Sequence, residues 1–243
     1  MTRDISPDLQ QIRLFFTQPH GCSYLPGKEA TTAFVDPSLD INASLYTQLT
    51  QMGFRRSGRY YYQPRCQLCA ACISARIPVA EFSPNRQQRR CLQRNRDLSI
   101  AIKPNINVDE HYALYENYIN SRHEDGDMFP PTREQYLDFL GSGIEATRFV
   151  EFRLDGILLG CSVLDRLDDG VSAIYTYYSP EIARRSLGTL AVLTLVDLAR
   201  EMELPYVYLG FWIKNCTKMA YKSRFQPLEL LIGGRWIRNS SAS

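Results

Sequence analysis

Apolar residues recur at helical spacing between Ala43 and Met52, where Leu45, Tyr46, Leu49 and Met52 share one face and Gly53 closes the segment. A second helix is expected after Ser83-Pro84 and through Asn95, a serine cap followed by proline in the first turn. Its outer face is basic, with Arg86, Arg90 and Arg94 spaced by four and Arg89 beside them. Asp109 caps a third helix to about Ser121, and Thr132 a fourth to Leu140. The stretch Leu190 to Glu201 is apolar on nearly every side and so predicts a buried helix. Strand patterning falls at Phe54 to Tyr62, Ser74 to Phe82 and Leu98 to Ile102. It returns at Thr147 to Arg153, Gly156 to Arg166 and Gly170 to Tyr178, where Asp155-Gly156 and Asp169-Gly170 turns predict an antiparallel meander. Tyr206 to Ile213 reads as a further strand interrupted at Gly210, where a bulge or a close backbone approach is expected. Asn215 then caps a short helix, Thr217 to Ser223, that sets Lys218 and Lys222 on one side with Tyr221 nearby. Strands at Leu228 to Ile232 and Arg235 to Ile237 complete the sheet. Lys103-Pro104-Asn105 breaks the pattern. The expectation is an α+β chain of two domains, 1–104 and 105–243.

Charge sharpens that division. From Gly53 to Lys103 there are eleven lysines and arginines against two acids, a net +9, while the remainder carries 17 against 24, a net −7. A basic half of this kind suits a polyanion, nucleic acid above all, although a solvated basic face gives the same count. No run approaches the roughly 20 apolar residues of a membrane span, and Met1 to Gln11 carries no signal-peptide core, so the expected setting is the cytosol and the expected form a monomer.

Seven cysteines, an odd number, do not read as a secreted disulfide framework. Cys66, Cys69 and Cys72 are spaced by three, so a tight turn can converge them on zinc or on an iron-sulfur cluster. Cys22, expected on a loop after Pro19-His20-Gly21, is the candidate fourth ligand. Reduced, packed thiols are the competing reading. The order helix, helix, three antiparallel strands, Arg-x-x-Gly turn, helix, strand, helix, strand is the layout of an acetyltransferase-like (GNAT) domain with a mixed, mostly antiparallel sheet. There the start of the central helix holds phosphate, and Arg185-Ser186-Leu187-Gly188 is a short version of that turn. No G-x-S-x-G elbow, H-E-x-x-H or P-loop is present. A transfer that begins from an activated ester needs no protein nucleophile, only orientation, oxyanion donors and a proton route.

The segments Cys22-Ser23-Tyr24-Leu25, Gly53-Phe54-Arg55-Arg56-Ser57-Gly58, Cys69-Ala70-Ala71-Cys72, Asp125-Gly126-Asp127-Met128-Phe129, Ser186-Leu187-Gly188-Thr189 and Tyr208-Leu209-Gly210-Phe211-Trp212-Ile213, with Cys216, Lys218-Met219 and Tyr221-Lys222, carry a resemblance over nearly the whole chain. The sequence resembles the bacterial aspartate/glutamate leucyltransferases, relatives of the arginyl-tRNA-protein transferases. The resemblance implies an N-terminal cysteine-bearing domain, an acetyltransferase-like C-terminal domain, and transfer of leucine from leucyl-tRNA to proteins beginning with Asp or Glu, which marks them for degradation. Arginine as donor is the neighbouring alternative. A non-catalytic, metal-stabilised RNA-binding module and an ordinary coenzyme A acetyltransferase are readings from other classes.

Residue expectations follow from chemistry. Tyr208, Asn215, Tyr221 and Lys222 are candidates at the transfer site, with Asp127 and His123 for proton handling. Arg86, Arg90 and Arg94 are expected on tRNA phosphates, and Arg185 with the turn at Gly188 on the tRNA end. An acidic acceptor side chain removed from water requires a paired cation, and Arg55, Arg56 and Arg76 are the candidates.

Overall fold

The computed structural model describes residues 12–141 and 144–239. The chain opens with β1 (Leu14–Phe16), a two-stranded ribbon of β2 (His20–Gly21) and β3 (Glu29–Ala30), and β4 (Thr32–Val35). Helix α1 (Ala43–Gln51) follows, with Asn42 accepting from the Leu45 amide at its start. Gly53, at φ +92°, supplies the left-handed stop; a Cβ there would lie 2.8 Å from Gln63 and Leu231. The basic and aromatic segment after it is a hairpin, β5 (Arg55–Ser57) and β6 (Tyr60–Pro64), which completes a small sheet in the order β1-β4-β6-β5.

Strand β7 (Ile73–Pro78) is followed by α2 (Arg86–Arg94) and β8 (Ser99–Lys103). The cap of α2 is Asn85, not Ser83, because Asn85 and Gln88 exchange hydrogen bonds as a capping box. Helix α3 (Val108–Arg122) is capped by Asn107, two residues before the expected Asp109. Thr132 does cap α4 (Arg133–Tyr136), which continues as a wide turn to Gly141. The meander forms as patterned: β9 (Thr147–Leu154), β10 (Ile157–Arg166) and β11 (Gly170–Tyr178). Helix α5 (Leu187–Glu201), β12 (Tyr206–Trp212), α6 (Thr217–Ala220), β13 (Glu229–Ile232) and β14 (Arg235–Arg238) complete the chain.

Eight of these strands make one sheet in the order β14-β13-β7-β12-β11-β10-β9-β8, antiparallel throughout except for β11 with β12. Strands β7 and β8 precede residue 104 yet bond into this sheet, so it runs across the expected boundary. One face carries α5 and α2, and Leu190, Leu193, Val196 and Cys91 pack there against Val207, Leu209 and Phe152. The other face carries two clusters. Around α3, His111 is buried between Tyr177 Oη (2.8 Å from Nδ1) and Glu151 Oε1 (3.0 Å from Nε2); burial holds it below its usual pKa, so it is a neutral structural ring. Around α1, Leu45, Tyr46 and Tyr61 pack with Tyr208, which clamps the small sheet onto the large one. Among the described residues no helix is long and apolar enough to cross a membrane.

Candidate active site

Strands β11 and β12 bond only over Gly170–Ser172 and Tyr206–Tyr208, although they continue to Tyr178 and Trp212. Each turns irregular at the point of parting. The β10–β11 register slips beyond Ala173, and β12 bulges at Gly210, φ +81°. A parted pair leaves sheet carbonyls to be satisfied by something else. Arg55, from β5, does this: Nη1 donates to Ser172 Oγ at 2.9 Å and Nη2 donates to the Ala173 carbonyl. The guanidinium lies flat on Gly210, where a Cβ would meet Nε at 3.2 Å. The bulge expected from sequence is thus a seat for an arginine.

Lys222 closes the same opening. It lies in the single 3-10 turn Tyr221–Arg224 after α6 and is 3% exposed. Its Nζ is 3.5 Å from the Met219 sulfur and 4.9 Å from the centre of the Tyr221 ring. Burial first, and then the charge of Arg55, lower its pKa from 10.5 to about 7. Tyr221 is half-open to solvent, and its phenol is pushed up by burial against the pull of Arg55. An aromatic wall continues from it: Tyr118 packs on Tyr178 at 4.9 Å and on His123 at 5.0 Å. Burial and then Lys218 hold His123 below its usual pKa. Tyr178 in turn reaches Gly188 in the first turn of α5, a turn that carries no side-chain cap. The opening, the lysine and the helix start are therefore contiguous.

Other candidates fall elsewhere. Tyr208 is buried on the α1 side, donates to Asp169 at 2.8 Å and is pushed far up by burial; it is a packed hydrogen-bond donor, not a group in the opening. Asn215 is exposed in a turn, and the residue at the start of α6 is Cys216. Arg56 gives Nε and Nη2 to the two oxygens of Asp165 at 2.6 and 2.8 Å, where Tyr46 and Thr147 also donate, all of it buried. Arg76 is bound to Glu229 at 2.7 Å and stacked 3.5 Å from Tyr206 and 4.3 Å from Trp236. Neither guanidinium is free for an acceptor. Arg185 is paired with both oxygens of Asp97 at 2.8 Å, so only Gly188 of the expected Arg-x-x-Gly pair faces the wall.

Two loops meet above the opening. Ser23 Oγ donates to Asp127 Oδ2 at 2.5 Å, and Lys218 holds Asp125 at 2.6 and 2.8 Å. Tyr24 lies close by, its phenol pushed up by burial and then by Tyr62, Cys72, Asp127 and Cys216. Burial pushes the Cys72 thiol up to about 12, reinforced by Cys22, Cys66, Cys69 and Cys216, so the other three expected ligands lie within electrostatic reach of Cys72. Among the described residues no group of three or more His, Cys, Asp or Glu is placed to hold an ion. Sequence reasoning missed Tyr118, Tyr178 and Ser172; only Tyr178 carried a signal, the tyrosine-rich end of β11.

On the opposite face of the sheet, α2 exposes Arg86, Arg89, Arg90 and Arg94 around an open depression of about 550 Å³. No acid lies on that helix.

The sequence model of the arginine-tRNA-protein transferase N terminus matches residues 20–90, and that of the C terminus matches residues 110–232. This chain belongs to the arginine-tRNA-protein transferase family. It is 52% identical over 229 residues to an aspartate/glutamate leucyltransferase of Marinobacter nauticus, covering 94% of this chain and 97% of that one. It is 51% identical over 231 residues to one of Pseudomonas fluorescens strain Pf0-1, covering 95% and 98%. Among solved structures, FemX has a TM-score of 0.46 at 10% identity over 71% of this chain and 61% of that one. L-PGS from Bacillus licheniformis also has 0.46, at 13% identity over 59% and 46%.

Proposed function

We propose that this chain transfers leucine from leucyl-tRNA to the α-amine of proteins beginning with Asp or Glu, marking them for degradation in the cytosol. The observation that carries the reading is identity of about half over nearly the full length of relatives named for that activity. The geometry supports it at three points. The arginine face of α2 suits tRNA phosphates. The opening beyond the parted strands, with the uncapped first turn of α5 behind Tyr178, suits the tRNA 3′ end in an acetyltransferase-like arrangement. Lys222, with a pKa of about 7 and so partly neutral near pH 7, suits proton handling.

The chemistry needs no enzyme nucleophile. The acceptor α-amine, with a reference pKa near 7.7 to 8.0, attacks the aminoacyl ester carbonyl. Forming the amide removes one proton from nitrogen; Lys222 takes it and returns it to the ribose oxygen as the ester bond breaks. Arg185, bound to Asp97, shapes the turn before α5, while His123 and Asp127 belong to the rim. Incubation with labelled leucyl- and arginyl-tRNA and peptides differing only at the first residue tests the reading. Leucine on Asp and Glu peptides is expected; arginine transferred in its place, or no transfer, overturns it.

A further inference from the structure

Three arginines were candidates for the acidic acceptor, and their surroundings separate them. Arg56 has Asp165 and Arg76 has Glu229, each a short charge-assisted pair formed inside the fold. Among the described residues, Arg55, 7% exposed, bonds to the neutral oxygens of Ser172 and Ala173 and to no carboxylate. Two hydrogen bonds leave most of the five guanidinium donors unassigned. Arg55 also lies close enough to Lys222 for its charge to lower the pKa of that lysine. A buried guanidinium with no carboxylate partner among the described residues is costly in the empty protein, more so whenever the neighbouring Lys222 is protonated, and an anion placed at it removes that cost. We infer that Arg55 is the residue that selects acidic acceptors, its free guanidinium edge in the gap between β11 and β12 taking the Asp or Glu side-chain carboxylate. This rests on the transferase reading above and names the specificity determinant within it.

The anion is an acceptor carboxylate and not a tRNA phosphate, for two reasons. Arg55 enters from the α1 side of the sheet, whereas the exposed arginines of α2 lie on the α5 side. Its guanidinium is also confined, flat against Gly210 and beside the Tyr62 and Phe211 pair, whose rings are 6.0 Å apart. A planar carboxylate on a short side chain fits such a slot, and a planar fork reads it in two bonds. The position also links binding to chemistry, because a carboxylate held at Arg55 sets its own α-amine beside Lys222.

The test uses the full chain, leucyl-tRNA, and peptides identical except for Asp or Asn at the first position. Transfer by the unaltered protein to the Asp peptide establishes the underlying reading independently; if none is seen, that reading fails and not this one alone. Given transfer, Arg55→Gln is expected to lower kcat/KM for the Asp peptide about a hundredfold more than for the Asn peptide, so the preference collapses whatever the common loss, with tRNA affinity unchanged. Arg55→Lys keeps the charge without the fork and should raise KM for the Asp peptide about tenfold with kcat nearly kept. It decides the matter if the Gln variant fails to fold. Either folded variant retaining the full Asp over Asn preference overturns the inference, and so does a loss of tRNA affinity with the preference intact, which assigns the site to phosphate.

Discussion

Lys222 offers a quantitative check on the site. Its surroundings are Arg55 from β5 together with Cys216, Met219 and Tyr221 from its own segment, and the pull of burial exceeds that of any partner. The folded pKa of about 7 lies below the unfolded value of 10.5. Between those values the unfolded chain binds a proton that the folded chain does not, so folding stability rises with pH across the interval and is flat below it. At about 1.4 kcal/mol per pH unit the whole interval is worth on the order of 5 kcal/mol, an upper bound because local relaxation and water reduce it. Replacement by the similarly shaped Met removes the dependence. Lys222→Met should therefore be more stable than the parent at pH 6 and lose roughly 2 to 3 kcal/mol of that advantage between pH 7 and 9, read by urea unfolding at each pH. On the proposed proton-handling role, transfer by the variant should fall far more than tRNA binding. A stability difference independent of pH would mean that the lysine titrates as a solvated one and that the opening is wet, and the proton-handling role would fall with it.

Other consequences are as direct. Arg86→Ala with Arg90→Ala should weaken every tRNA alike and flatten the dependence of log affinity on log salt by about 0.7 to 0.9 for each phosphate no longer neutralised; an unchanged slope removes α2 from the interface. Asp165→Asn leaves Arg56 buried beside a neutral partner and should cost about 3 to 5 kcal/mol in urea unfolding, while the surviving folded enzyme keeps its preference for Asp peptides; a lost preference would return Arg56 to the acceptor site. Gly210→Ala must carry a side chain at φ +81° and crowd Arg55 at 3.2 Å. About 1 to 2 kcal/mol of stability and most of the Asp preference should go together, and a variant selective as the parent would show that the guanidinium does not need that seat.

Sequence periodicity found what local physics decides. Helix α1, the three-stranded meander and buried α5 each declare themselves within a window of a dozen residues. Caps shifted by two residues where an asparagine competed with the expected serine or aspartate, as at Asn85 and Asn107. The arginines show where periodicity stops being informative. Arg55, Arg56 and Arg76 are alike as letters, and what distinguishes them lies 109 residues away at Asp165 and 153 away at Glu229. Tyr208, in the most reactive-looking stretch of the chain, proved to be packing because strand alternation turns it toward α1, away from the side of Leu209.

The site itself is made by strands that stop bonding, and no residue pattern announces an interruption. Had β11 and β12 remained paired past Ser172, the Ala173 carbonyl would have found a strand amide and Arg55 would have had no buried acceptor to reach for. Because they part, the fold draws a cation into its own sheet and sets beside it Lys222, whose pKa falls to about 7. The proposed selectivity for an acidic first residue and the proposed proton handling by Lys222 then share one physical origin: cationic groups kept from water, with no carboxylate bonded to them among the described residues.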